Sequence, residues 1–363
     1  MQSVKHESQY RNAHWLLDEV EMLYADLSSN ADDSGKLVLS TYDSSLQPIF
    51  NVFQKYAYDR EFPNLCFENK DVKPLKLPKY DPKNIIVCYS GGKDSLSVVK
   101  HYIDMGYNVY AYHIKGLNKT YIDEWEVAEK AADVFGFKLI IENMSYIGNH
   151  SWVEHPMKNM IMANMALSYG ISHNITTKIA CGSFYSAHLD DIEFDVCAGD
   201  TIDMWHIYED VVKRFIPRFH IYVPNKNMYT SYNMILRQPE LLKYTISCLT
   251  PYRFRKLFKK RTENNYSVKL MNNRCGCCWK CAVEYIWFCD HNILEYNKEY
   301  YIHCIEILTN TMEQEMGYRT YNIDHIWKNY IFYPMKKSKA YEELKNAIIL
   351  SGKIKITSNS IER

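Results

Sequence analysis

Six residues, Ser90-Gly91-Gly92-Lys93-Asp94-Ser95, follow directly on the apolar run Asn84 to Tyr89 and precede a stretch of helical periodicity. Strand, glycine turn and helix N-terminus in that order form an anion cradle. Glycines let backbone N–H groups approach a phosphate, and the helix dipole favours negative charge there. Ser90 and Ser95 add hydroxyl donors and Lys93 adds a point charge. Asp94 is an odd neighbour for phosphate unless it orients the loop or helps to hold Mg²⁺. The plainer alternative is a turn with an N-cap, because Gly-Gly beside Asp and Ser is common turn chemistry. Against it, this is the only Gly-Gly in a chain with 13 glycines among 363 residues, about half the usual ~7%. The spacing G-x-x-x-x-G-K-[ST] fails because position 87 is Val, and G-x-G-x-x-G is not met either. A P-loop NTPase and a dinucleotide oxidoreductase are therefore poor fits.

The second chemical constellation is Cys275-Gly276-Cys277-Cys278-Trp279-Lys280-Cys281, with Cys248 upstream. Cys275, Cys278 and Cys281 have the spacing C-x2-C-x2-C. Together with Cys248 they suit a tetrahedral zinc, or equally an iron–sulfur cluster. Cys277 is a fifth thiol that spacing alone allows to replace one of the four. The chain has 11 cysteines, an odd number too tightly grouped for a disulfide framework. It also has no export signal: the N-terminus, MQSVKHESQYRN, lacks an apolar core. Both features point to a metal site in a reducing, cytoplasmic compartment.

A third feature is the basic run Arg253-Phe254-Arg255-Lys256-Leu257-Phe258-Lys259-Lys260-Arg261. Lys and Arg neutralise phosphate and aromatic rings stack on bases, so the run is a candidate nucleic-acid contact. The alternative, which weighs more, is an amphipathic surface helix. In that reading Phe254, Leu257 and Phe258 share one face and the basic face is merely solvated. His150 and His155 have no third ligand nearby and read as loop histidines.

These residues need a scaffold, and the periodicity supplies one. Leu16, Val20, Leu23 and Leu27 make one helical stripe near the N-terminus, and Lys36 to Thr41 reads as a short strand. A Pro- and Lys-containing linker, VKPLKLPKYDPK, follows. Strands are expected at 84–89, 109–114, 138–142 and 178–181, and helices at 94–105, 123–135 and 158–169. On the second helix Trp125, Ala128, Ala132 and Phe135 are expected to face inward. This alternation predicts an α/β fold, a parallel sheet with helices on both faces, with ligands at the carboxyl ends of the strands. The expected organisation is an N-terminal extension (1–80), the α/β domain (81–240), and a metal-binding segment with a helical C-terminal region (241–363). The aromatic stretch with Tyr300, Tyr301, Trp327, Tyr330 and Phe332 reads as core or as the interface of a homodimer.

Lys plus Arg and Asp plus Glu each number 43, giving a net charge of +0. That excludes a wholly basic nucleic-acid binder but not a local basic patch. No apolar run approaches the ~18 residues of a membrane span, so no membrane partner is expected.

S-G-G-x-D-S after the first sheet strand resembles the signature of the PP-loop ATP pyrophosphatases. That resemblance implies cleavage of ATP between its α and β phosphates, with Mg²⁺, and transfer of AMP to a carbonyl or carboxylate oxygen. It implies that Ser90, Gly91, Gly92, Asp94 and Ser95 bind the nucleotide, with Lys93, Asp94 and Ser95 at the chemistry. Ser247-Cys248 followed by Cys275-Gly276-x-Cys278-x-x-Cys281 further resembles the zinc site of the 7-cyano-7-deazaguanine synthases of the queuosine pathway. Pro156-Met157-Lys158-Asn159, read as lying just before the third helix, is similar to that family's Pro-x-Arg-Asn, with Lys158 in place of Arg. Lys158 and Asn159 are thereby implied at the substrate. Asp200 and Asp203 are candidates for the acidic substrate contact, with solvated loop carboxylates the alternative.

The implied reaction converts 7-carboxy-7-deazaguanine and ammonia, with ATP, into a nitrile. The resemblance covers roughly residues 84 to 290. Two departures stand out: the stretch between Cys248 and Cys275 is long, and Lys93 stands where the family is more often apolar. Lys at that place is common in the sulfur-transferring branch of the superfamily. A sulfur-inserting nucleic-acid modification enzyme with an iron–sulfur cluster is therefore one alternative. A non-catalytic ATP-binding protein is another.

Overall fold

The computed structural model describes residues 19–20, 22–23, 41–56, 65–115, 124–143, 151–183, 201–226, 229–246, 248, 250, 252–271 and 274–318. After the helical residues 19–20 and 22–23 come β1 (Thr41–Asp43), α1 (Gln47–Tyr56) and β2 (Cys66–Glu68), and the two strands pair in parallel. The alternating region follows. It comprises β3 (Asn84–Cys88), α2 (Lys93–Asp104), β4 (Asn108–Lys115), α3 (Glu124–Phe135), β5 (Lys138–Asn143), α4 (Ser151–Ser172), β6 (Ile179–Ala180), α5 (Ile202–Lys213) and β7 (Ile221–Tyr222). Four further helices are α6 (Tyr229–Arg237), α7 (Tyr252–Tyr266), α8 (Trp279–Asp290) and α9 (Lys298–Tyr318).

The main sheet has the order β5-β4-β3-β6-β7, and every pairing in it is parallel. Successive side chains of a strand point to opposite faces. Ile86 and Cys88 accordingly pack with α1, α4 and α5, while Ile85 and Val87 pack with α2, α3 and α6. Both faces of β3 are covered, which explains its unbroken apolar sequence. The expected α/β fold with helices on both faces is what the structure shows. Among the described residues no helix is long and apolar enough to cross a membrane.

Several boundaries differ from expectation. The third helix of the sheet region starts at Ser151, so Pro156 lies inside it rather than before it, and His155 is helical. Pro is usually read as a helix boundary, which is why the sequence suggested a later start. Trp125 is half-buried at the rim rather than inward, with the Lys115 ammonium 3.9 Å from its ring centre; Ala128 and Ala131 form the buried face. Val20 and Leu23 of the N-terminal stripe are fully buried, whereas Leu16, Leu27 and residues 36–40 lie outside the described residues. His150, Trp327, Tyr330 and Phe332 also lie outside them.

The N-terminal segment is tied to the sheet region by a buried carboxylate. Asp43 accepts hydrogen bonds from the N–H groups of Ser45 (2.9 Å) and Lys70 (3.1 Å). It also pairs with Arg214 Nη1 at 3.0 Å, and its own side chain is 0% exposed. Burial alone would raise its pKa, but the Ser45 and Lys70 bonds and the Arg214 charge outweigh burial and hold it below the ordinary value.

Asp43→Ala is expected to cost about 3 kcal/mol of unfolding free energy at neutral pH, as breaking a buried ion pair does. Urea unfolding measures it. A depressed native pKa means the stabilisation is complete above the ordinary carboxylate range and is lost as pH falls through the lower native value. Wild type and variant should therefore converge in stability below about pH 4. A constant gap into stronger acid would count against this linkage.

Candidate nucleotide loop and metal centre

β3 is the central strand at which the order reverses, since β4 and β5 lie on one side and β6 and β7 on the other. A crevice opens at the carboxyl ends of strands at such a switch point. Residues 90–95 sit there, between β3 and α2. Gly91 has φ +80°, and a Cβ at this position would lie 3.2 Å from the Glu124 carbonyl oxygen. The positive φ favours glycine, and the close carbonyl leaves a side chain little room. Gly92 caps α2 without a side-chain bond, so the first-turn N–H groups have no intrahelical acceptor.

The loop is braced by its own serines. Ser95 Oγ accepts from Ser90 N–H (3.2 Å) and donates to Gly92 O (3.1 Å). The Ser90 and Ser95 hydroxyls are 3.2 Å apart. Lys93 is buried, with Nζ 3.0 Å from Asp94 Oδ2 and 4.9 Å from the Tyr232 ring centre. Its charge is thus already engaged by Asp94, not projected freely into the crevice as the sequence suggested. The Asp94 carboxylate also accepts from Ser231 Oγ.

Four positions that the sequence reading missed complete this part of the site. Gly182, just after β6, lets the chain pass so close to α2 that a Cβ would lie 2.9 Å from Ser95 N. Asn225 Nδ2 bridges Asp94 O and Gly182 O, each at 3.1 Å. Ser231 and Tyr232 of α6 contact the Asp94–Lys93 pair. None belongs to a recognisable motif. An isolated glycine at a strand end was the one available signal.

The four cysteines expected as ligands converge. The Sγ atoms of Cys248, Cys275, Cys278 and Cys281 all lie within 4.8 Å of one another. Cys275 and Cys281 Sγ are 3.9 Å apart, close to the ~3.8 Å edge of a tetrahedron with 2.3 Å Zn–S bonds. Cys278 is the N-cap of α8 and Cys281 lies in its first turn, which fixes two donors on a rigid element. A Cys275 contact would by itself raise the Cys248 thiol, but hydrogen bonds from Cys278 and Cys281 bring it down to about 6. Bonds from Cys248, Cys277, Cys278 and Cys281 hold Cys275 well below the usual thiol range. Their thiol neighbours push Cys278 and Cys281 the other way, so without a metal the four share few negative charges, with Cys275 and Cys248 the readiest thiolates. Cys277 is exposed, with its Sγ 3.6 Å from Cys275 Sγ, on the rim of the set.

The loop and the cysteine cluster share one piece of chain. Ile246 N–H donates to Gly91 O at 2.9 Å, two residues before Cys248. Arg274, one residue before Cys275, donates from Nη1 to Thr245 O (2.9 Å) and from Nη2 to Thr245 Oγ1 (3.2 Å). Its Nε pairs with Glu284 Oε2 of α8 at 2.6 Å. Burial alone would lower the Arg274 pKa, but Glu284 and the cysteine sulfurs raise it, so the guanidinium stays charged.

The remaining candidates are placed less tightly. Asn159 is half-buried in α4, and Asp203 is half-buried in the first turn of α5, beside the N-cap Thr201. Asp200 and the Lys158 side chain lie outside the described residues. The basic run forms α7, but its faces are not as expected. Phe254 and Leu257 are 41% and 62% exposed, while Arg255 is buried and bonds Thr250 O at 3.1 Å. Lys259 is paired with Glu263 at 2.7 Å, leaving Lys256, Lys260 and Arg261 on the outer surface.

No protein-family model matches this chain, and no curated protein matches it.

Metal analysis of the full chain is expected to find one metal ion per chain. Cys281→Ser should reduce bound metal to below about a tenth of wild type, and Cys277→Ser should leave the stoichiometry unchanged. A colourless protein with zinc fits the tetrahedral site. A brown protein with iron and acid-labile sulfide identifies a cluster instead. Loss of metal in Cys277→Ser with retention in Cys278→Ser would reassign the fourth ligand.

Proposed function

We propose that this chain is a PP-loop ATP pyrophosphatase that adenylates a carboxylate or carbonyl oxygen of a small heterocyclic substrate and releases pyrophosphate. The observation that carries the reading is the Gly91–Ile246 hydrogen bond. It makes the glycine loop at the switch point and the four-cysteine cluster parts of one construction. Both motifs of the resembled synthases therefore meet in space, although about 150 residues separate them in sequence.

In this reading, the loop N–H groups and the Ser90 and Ser95 hydroxyls hold the β and γ phosphates at the N-terminus of α2. The substrate oxygen attacks the α phosphorus, the α–β bridging P–O bond breaks, and pyrophosphate leaves with the electron pair. Ammonia then displaces AMP to give an amide. A second adenylation of the amide oxygen, followed by loss of AMP and protons, gives the nitrile. The chain supplies positioning and charge stabilisation and needs no side-chain nucleophile. Mg²⁺ would neutralise the departing pyrophosphate, with Asp94 the carboxylate that the loop itself carries. Lys93 holds Asp94 in place. Zinc on Cys248, Cys275, Cys278 and Cys281 would be structural, since all four donor positions are protein thiolates.

The test is release of AMP and pyrophosphate from ATP and Mg²⁺ with 7-carboxy-7-deazaguanine and ammonium. Asp94→Asn is expected to lower the rate on the order of 100-fold. Formation of ADP and phosphate, or full activity in Asp94→Asn, would sink the reading. AMP release only with tRNA or DNA and a sulfur donor would keep the loop chemistry and move the substrate to nucleic acid.

A further inference from the structure

Helix α7 turns polar residues inward. Arg255 Nη2 donates to Thr250 O at 3.1 Å, Thr262 Oγ1 donates to Cys275 O at 3.3 Å, and Glu263 Oε1 accepts from Leu270 N–H at 2.8 Å. These bonds fix the rotation of the helix. The opposite face carries Phe254, Lys256, Leu257, Lys260 and Arg261, all exposed. Phe254 and Leu257 are therefore not the hidden side of an amphipathic surface helix.

Helical spacing sorts the outer face into two rows. Phe254, Leu257 and Arg261 follow one another at i, i+3 and i+7, and Lys256 and Lys260 stand beside them at i and i+4. The Phe254 ring lies 6.1 Å from that of Phe258 at an interplanar angle of 29°, and Phe258 packs against the buried cysteines. The exposed ring is thus backed by an anchored one. No carboxylate of α7 shares this face, because Glu263 stands at its edge and is paired with Lys259 at 2.7 Å. In a chain of net charge +0, three cations on one side of a helix make a local positive field.

Cations so placed neutralise phosphates, and an exposed ring among them stacks on a base. A duplex hides its base faces, so such a ring serves an unpaired strand. A bilayer fits less well, because an interfacial helix needs a broad apolar face, and Asn264 and Asn265 interrupt this one.

We propose that the outer face of α7 binds single-stranded nucleic acid, with Phe254 stacking on a base and Lys256, Lys260 and Arg261 meeting the flanking phosphates. The site stands on this surface alone and is independent of the adenylation reading, since binding needs no ATP.

The experiment is fluorescence-anisotropy titration of the full, metal-loaded chain, without ATP, with labelled single-stranded RNA and DNA of about 12 nucleotides. Log affinity should fall against log salt with a slope of about −2, as for three neutralised phosphates. Phe254→Ala should weaken binding at least about fivefold, and Phe254→Tyr should retain it. Lys256→Glu, Lys260→Glu and Arg261→Glu combined should weaken it at least about tenfold and flatten the salt slope. Thermal unfolding and metal content check the fold of each variant. Ultraviolet crosslinking of a bromouracil-containing strand to the wild-type chain needs no variant and should map to residues 254–261. Binding of RNA alone or DNA alone supports the proposal and names the partner. Tighter binding of a duplex, equal binding of polyglutamate, or failure of both strands to bind overturns it. Binding of phosphatidylserine vesicles in place of the strands also overturns it, as does crosslinking confined to other residues or full affinity in Phe254→Ala.

Discussion

The guanidinium of Arg274 does for this site what a sheet ladder does elsewhere. It is buried, and it spends its donors on Thr245 and Glu284, residues from two different parts of the chain. Thr245 precedes Ile246, which bonds Gly91, and Arg274 itself precedes Cys275. One planar fork therefore fixes the segment bearing Cys248 against the segment bearing Cys275, and both against α8. Lysine has a point charge and no fork, so it could not hold the same two bonds to Thr245 while pairing with Glu284. Removing either charge would strand the other in a dry environment. The cysteine thiolates nearby offset part of the desolvation of Arg274.

The sheet order gives this clamp something to act upon. A loop after a central parallel strand is open on its carboxyl side, and its shape depends on what packs beside it. Here Gly182 from β6 and Asn225 after β7 close in on the start of α2. Ile246 closes in from the C-terminal part of the chain. The glycine loop is thus held from three sides, which is the pre-organisation that anion binding by backbone N–H groups requires. β6 and β7 pair over only two residues each, yet they carry Gly182 and position Asn225.

Much of this was legible from residues alone, and the reasons differ by element. Helices α2 and α3 announce themselves by period, because each buries one face, and β3 by an unbroken apolar run, because both its faces are covered. The cysteines announce themselves by spacing, because a metal demands a fixed set of donors. α4 was placed too short because Pro156 looks like a start signal, and a helix with apolar residues all round offers little periodicity to correct it. α7 misled in another way. Its basic run looks uniform, yet Arg255 turns inward to Thr250 while Phe254 and Leu257 turn outward. Burial of a charged residue depends on a carbonyl that tertiary packing brings, which no local pattern encodes. Glu284 was the detectable omission: it is the one carboxylate within Cys281–Cys289, a stretch that is otherwise apolar and buried.

The position of the cysteine cluster relative to the loop bears on what each does. Four thiolates around a divalent ion carry a net charge of about −2. A polyphosphate is also strongly negative, and like charges at close range in a low-dielectric setting repel steeply. A metal-loaded cluster would therefore be poorly suited to touch the polyphosphate of the proposed reaction. What it can do is hold Cys248, and with it Ile246, at a fixed distance from Gly91. Arg274 stands beside the thiolates, where its charge opposes theirs. The fused arrangement joins the glycine loop to the four-cysteine cluster, with backbone rather than charge as the link between them.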